Sequence, residues 1–157
     1  MCFSLIGACF SSCIKLNIRT MNNKPIVIID DDVDDLEIFK QAFTELKVEN
    51  EIIVFEDGLE FLDFINTTDM KSFFFILCDI NMNNISGLEL KQELYEKWRL
   101  QCIPFLFFST SEASRTINKA YSLNVQGYFV KPNSIDELKD MFHSMIKYWG
   151  YSEHPSS

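Results

Sequence analysis

A chain of 157 residues, 47% apolar and 24% charged, has the length for one domain with a full core and the composition of a soluble globular protein. Its net charge is -9, and residues 1–25 hold Lys15, Arg19 and Lys24 with no acid, so the rest of the chain is more acidic still. That balance argues against a nucleic-acid surface, which needs basic patches, and no apolar run reaches the ~18 residues of a membrane helix. Residues 1–23 read as a flexible extension, with Met21 as a second candidate start. Ile6-Gly7-Ala8-Cys9 has the look of a lipoprotein cleavage site, but no positive charge precedes it and the apolar stretch is short. Cys2, Cys9 and Cys13 lack zinc-ligand spacing, and Cys78 and Cys102 read as small core hydrophobes of a reducing compartment, so a cytoplasmic protein is expected.

From residue 26 onward, strand and helix patterns alternate. Ile26–Asp30 is a short β-branched run. Leu36, Phe39, Phe43 and Leu46 recur at helical spacing and predict a helix over 33–47. Glu51–Phe55 reads as a second strand, and Asp57-Gly58 opens a helix carrying Phe61, Leu62, Phe64 and Ile65. Phe73–Cys78 is continuously apolar, and Leu88, Leu90, Leu94 and Trp98 mark a third helix from about Gly87. Pro104–Phe108 is a fourth strand, 112–124 a helix, and Gly127–Val130 a fifth strand. Ser134 with Glu137 three residues on predicts the capped start of a last helix, whose apolar face is Ile135, Leu138, Phe142, Met145 and Ile146. Five strands, each followed by a helix, imply an α/β fold with a parallel sheet covered on both faces. A single domain over 24–148 is expected, with 149–157 as a short tail.

The chemistry gathers where strands end. Asp30-Asp31-Asp32-Val33-Asp34-Asp35 follows the first strand directly. Like charges about 4 Å apart repel by about 4 kcal/mol at an effective dielectric of about 20, so such a run implies a cation. Ligands of open α/β sheets sit beyond the carboxyl ends of the strands. There the sequence places Asp30 and Asp31, then Asp79 and Asn81, then Ser109, Thr110 and Ser111, then Lys131-Pro132. Several carboxylates with a backbone carbonyl suit Mg²⁺, a lysine and a hydroxyl suit phosphoryl oxygens, and a carboxylate can itself accept a phosphoryl group. Asp32 reads as an N-cap, and Asp34 and Asp35 as charge suited to a helix start.

Taken together, Ile28-Ile29-Asp30-Asp31-Asp32, Leu77-Cys78-Asp79-Ile80-Asn81-Met82, Ser86-Gly87-Leu88-Glu89-Leu90, Phe107-Phe108-Ser109-Thr110 and Gly127-Tyr128-Phe129-Val130-Lys131-Pro132 resemble the receiver domain of bacterial two-component response regulators. The resemblance covers about 24–148. It implies a doubly wound, flavodoxin-like sheet with strand order 2-1-3-4-5. It also implies a stand-alone, single-domain regulator that is not an enzyme. Its partners would be a sensor histidine kinase or histidine phosphotransfer protein, a downstream protein, and a second copy of the chain through the fourth helix, fifth strand and last helix. Asp79 would be the phosphoacceptor. Asp30, Asp31 and Asp79, with the Asn81 carbonyl, would hold Mg²⁺. Lys131 and Ser109 would contact the phosphoryl group, Ser109 and Tyr128 would form the switch, and Asn81 and Ser111 would tune dephosphorylation. A cis bond would precede Pro132.

Three features depart from the family pattern, one being the charge that Asp32, Asp34 and Asp35 add beyond the usual acidic pair. Asn83 stands where proline is common, so the loop 81–86 is expected to be less rigid, and serine stands at 109 in place of the commoner threonine. An EF-hand opening at Asp30 fails, because Asp35 and Gln41 stand where glycine and glutamate are needed. Two alternative functions are a Mg²⁺-dependent phosphohydrolase and a pseudo-receiver that binds partners without phosphorylation. His143 and His154 read as surface residues.

Overall fold

The computed structural model describes residues 23–68, 72–95 and 102–152. Its strands are β1 (Ile26–Ile29), β2 (Ile52–Phe55), β3 (Phe75–Cys78), β4 (Phe105–Ser109) and β5 (Gly127–Val130). The helices are α1 (Val33–Glu45), α2 (Gly58–Thr67), α3 (Gly87–Tyr95), α4 (Ser114–Ser122) and α5 (Ile135–Tyr151). All strand pairs are parallel, in the order β2-β1-β3-β4-β5. All of the expected extension but Asn23 lies outside the described residues, as does Trp98; of the expected tail 149–157, residues 149–151 instead continue α5, and 153–157 lie outside the described residues.

Strand residues alternate between two cores because successive side chains point to opposite faces. Ile26, Ile28, Leu106 and Phe108 meet Leu36 and Phe39 of α1 and Leu138 and Phe142 of α5. Val27, Ile29, Phe105 and Phe107 meet Phe61 of α2, Leu90 and Leu94 of α3 and Ala120 of α4. The unbroken apolar runs of β1, β3 and β4 are thus explained: each strand is buried on both sides. Aromatic packing is dense on the first face, where the Phe43 and Phe142 rings stack with centroids 4.4 Å apart.

Local signals set the helix starts. Asp32 caps α1 by accepting from Asp34 N and Asp35 N, and Asp57 caps α2 by accepting from Leu59 N. Ser134 Oγ accepts from Glu137 N at 3.2 Å to cap α5. The helix expected over 33–47 stops at Glu45, and Lys47 takes a left-handed φ of 54°. Cys102 is exposed, contrary to the core position expected for it; burial begins at Ile103, and Cys102 lies in the turn before β4. Cys78 is fully buried, and burial pushes its thiol well above its ordinary pKa. His143 is exposed, and His154 lies outside the described residues.

Candidate functional site

Strand order reverses between β1 and β3, which places their carboxyl ends side by side. Ile29 is in register with Cys78, and Asp79 N donates to Ile29 O at 2.9 Å. Asp30 and Asp79 are therefore neighbours by backbone construction. On the other side, β4 and β5 are tied by Lys131 N donating to Ser109 O at 2.9 Å. One rim thus carries the residues from four separate chain segments.

The acids converge. Asp30, Asp31 and Asp79 each present an oxygen, and these oxygens lie within 4.8 Å of one another. Asp30 is buried, and its Oδ1 accepts from Asp32 N at 3.0 Å. Its Oδ2 accepts from Lys131 Nζ at 2.6 Å. Burial outweighs that lysine and pushes the Asp30 carboxyl up to about 6. Asp79 Oδ2 accepts from Asn81 N at 3.1 Å. Asp79 Oδ1 is buried without a hydrogen-bond partner, 4.0 Å from Lys131 Nζ. A buried carboxylate oxygen left in that state fits a cation or an incoming electrophile, and oxygen-only donors of this kind fit Mg²⁺.

Lys131 is shared. Besides Asp30, its Nζ donates to Asp35 Oδ2 at 2.7 Å and lies 5.7 Å from the centre of the Phe39 ring. Burial works against the ammonium, but its hydrogen bonds to Asp30 and Asp35 hold its pKa above the ordinary lysine value. Asp35 was expected to be mostly helix-start charge; within the first turn of α1 it is also a partner of Lys131. Ser109 is fully buried, and its Oγ accepts from Asn81 Nδ2 and from Ser111 N, each at 3.4 Å. Tyr128 is half-buried, and its hydroxyl donates to Ser111 O at 2.7 Å, which ties β5 to the loop before α4.

One expectation changes. No peptide bond among the described residues is cis, so the bond before Pro132 is trans. Trans is the lower state of an X–Pro bond by about 0.5–1 kcal/mol, and Lys131 reaches Asp30 and Asp35 from it. In the loop 81–86, Asn83 Nδ2 donates to Asp31 Oδ2 and Asn84 Nδ2 to Asp57 Oδ2, each at 2.5 Å. Side-chain amides hold the loop where a proline was missed.

The acid cluster, the lysine and the buried hydroxyl thus meet at the switch point of a doubly wound α/β domain. Residues 26–143 match the family model of the response regulator receiver domain, and the chain belongs to that family. The chain is 29% identical over 125 residues to the chemotaxis protein CheY-3 of Vibrio cholerae, covering 80% of this chain and 93% of that one. It is 25% identical over 134 residues to a probable methanogenesis regulatory protein, FilR2, of Methanothrix harundinacea, covering 83% of this chain and 86% of the relative. The crystal structure of the phosphorylated cyanobacterial phytochrome response regulator RcpA shares the fold with a TM-score of 0.77 at 24% identity, covering 85% of this chain and 99% of that one.

A cation held by this cluster would compete with the proton on Asp30, so Mg²⁺ affinity is expected to fall as pH drops through about 6. Calorimetric titration with Mg²⁺ on either side of that value checks this, and a flat profile across it would remove Asp30 from the ligand set.

Proposed function

We propose that the chain is a single-domain response regulator in which Asp79 accepts a phosphoryl group from a phosphohistidine on a partner kinase or phosphotransfer protein. The observation that carries this is Asp79 Oδ1: buried, without a hydrogen-bond partner, inside the acid cluster and facing Lys131. In the transfer Oδ1 forms a bond to phosphorus as the histidine N–P bond breaks, and the bonding pair leaves with the imidazole nitrogen. Asp30, Asp31 and Asp79, with the Asn81 carbonyl, are the proposed Mg²⁺ ligands. Bound there, Mg²⁺ supplies neutralising charge for the phosphoryl oxygens. Lys131 lies 4.0 Å from the acceptor oxygen and adds a second positive charge on that side.

Ser109 and Tyr128 are the proposed switch. Ser109 Oγ sits beside the acceptor through Asn81, and the Tyr128 hydroxyl holds the carbonyl of Ser111 in the same loop. A phosphoryl group that drew Ser109 inward would loosen that loop and bias the surface of α4, β5 and α5. That surface is the proposed site for a downstream protein or a second copy, and it exposes Tyr121 on α4 and Ile135 and Tyr148 on α5. Asn81, exposed at the mouth, and Ser111 are the proposed determinants of dephosphorylation rate. We infer that the receiver unit spans 24–148 and works in the cytoplasm. Among the described residues no helix is long and apolar enough to cross a membrane.

The test is stoichiometry. With Mg²⁺ and phosphoramidate, whose P–N bond resembles that of phosphohistidine, uptake is expected to stop at one phosphoryl group per chain. Sustained turnover of small phosphate esters would favour a phosphohydrolase. A partner complex formed equally with and without phosphorylation would favour a pseudo-receiver.

A further inference from the structure

Asn83 touches a carboxylate of the acid cluster from the loop between β3 and α3. Its Nδ2 donates to Asp31 Oδ2 at 2.5 Å, and its backbone N–H donates to the same oxygen at 3.2 Å. Its neighbour Asn84 reaches a different wall, Asp57 at the start of α2. Only one of the two amides therefore touches the cluster. Asp31 needs such a contact more than the other acids do. Asp30 is fixed by Lys131 and by the N–H of Asp32, and Asp79 by the N–H of Asn81. Asp31 is half-buried and pairs with no ammonium among the described residues.

We propose that Asn83 is a positioning residue for the cation. By holding Oδ2 of Asp31 with two donors, it fixes the carboxylate that would ligate the cation and ties the loop 81–86 to it. Outer donors of this kind orient ligating carboxylates, and their loss typically costs about 10–100-fold in metal affinity. The inference rests on Asp31 being a Mg²⁺ ligand. The competing account is that Asn83 only stiffens the loop in place of a proline. Proline itself separates the two, because it restores stiffness but has neither the amide side chain nor the backbone N–H.

The experiment is calorimetric titration of Mg²⁺ into the full wild-type chain, Asn83→Pro, Asn83→Ala and Asn84→Ala, with circular dichroism melts of each in the absence of metal. Wild type is expected to bind one ion. Asn83→Pro is expected to bind at least about tenfold more weakly, and Asn83→Ala, which keeps the backbone donor, to fall between them. Asn84→Ala is expected to match wild type, because Asp57 is not in the cluster. If Asn83→Pro does not fold, the comparison of Asn83→Ala with Asn84→Ala decides. Wild-type affinity in both Asn83 variants, or an equal loss in Asn84→Ala, overturns the positioning role and leaves the Mg²⁺ assignment standing. A wild-type chain that binds no divalent cation overturns both.

Discussion

Lys131→Met is expected to lower stability by about 3–5 kcal/mol at neutral pH, the usual cost of removing one partner of a buried ion pair. The lysine and Asp30 side chains are 10% and 3% exposed, so water does little to replace the lost charge. Without the ammonium, Asp30, Asp79 and Asp35 face one another uncompensated, and Asp30 titrates still higher than its present value of about 6. The sign of the pH dependence follows. A carboxyl whose folded pKa exceeds its unfolded value near 3.8 binds its proton more tightly in the folded state. Its contribution is most favourable below the unfolded value and is lost as pH rises through the folded one. The variant should therefore recover part of its deficit between neutral pH and about pH 4, and Mg²⁺ should restore part of it at neutral pH by binding the folded state. Urea unfolding of both proteins across that range checks this; a gap that does not change with pH would mean the lysine acts through packing alone.

Gly87→Ala is expected to cost about 3 kcal/mol or more, at the upper end for overpacking, and to abolish phosphorylation in whatever fraction still folds. The reason is space rather than conformation, since no glycine among the described residues has a positive φ. A Cβ at 87 would lie 2.1 Å from the carbonyl oxygen of Asp79 and 3.0 Å from the Phe107 ring. Asp79 directly follows β3 and Phe107 lies in the middle of β4, so neither can retreat without moving the Asp79 carboxylate or the sheet. Gly87 N also donates to Ile80 O at 2.9 Å, so α3 begins in direct contact with the segment that carries Asp79. A variant with the melting temperature and phosphorylation level of wild type would show that this approach is looser than the geometry describes.

Much of this was readable in the residue order. β1 and its acids, the continuous runs of β3 and β4, and the caps at Asp32 and Ser134 are local signals, and parallel topology then carries Asp30, Asp79, Ser109 and Lys131 to one rim. What escaped depends on side chains distant in sequence. Asp35 and Lys131 meet across 96 positions. The only local hint was that Asp35 precedes Phe39 by four residues and so shares its helix face. Asn83 looked like the loss of a proline and Asn84 carried no signal; their hold on Asp31 and Asp57 depends on where α2 and the end of β1 lie. Cys102 sat beside an apolar run, yet burial begins one residue later, and sequence periodicity cannot fix a boundary that finely.

The proposed role of Asp79 is to accept a phosphoryl group with the help of a cation held by its neighbours. Its most direct test is the intact mass of the full chain after incubation with acetyl phosphate and Mg²⁺, followed by peptide mapping. One added phosphoryl group on Asp79 is predicted, absent when Mg²⁺ is chelated and absent in Asp79→Ala. A wild-type chain that stays unmodified, or an Asp79→Ala chain labelled to the same extent, would contradict it.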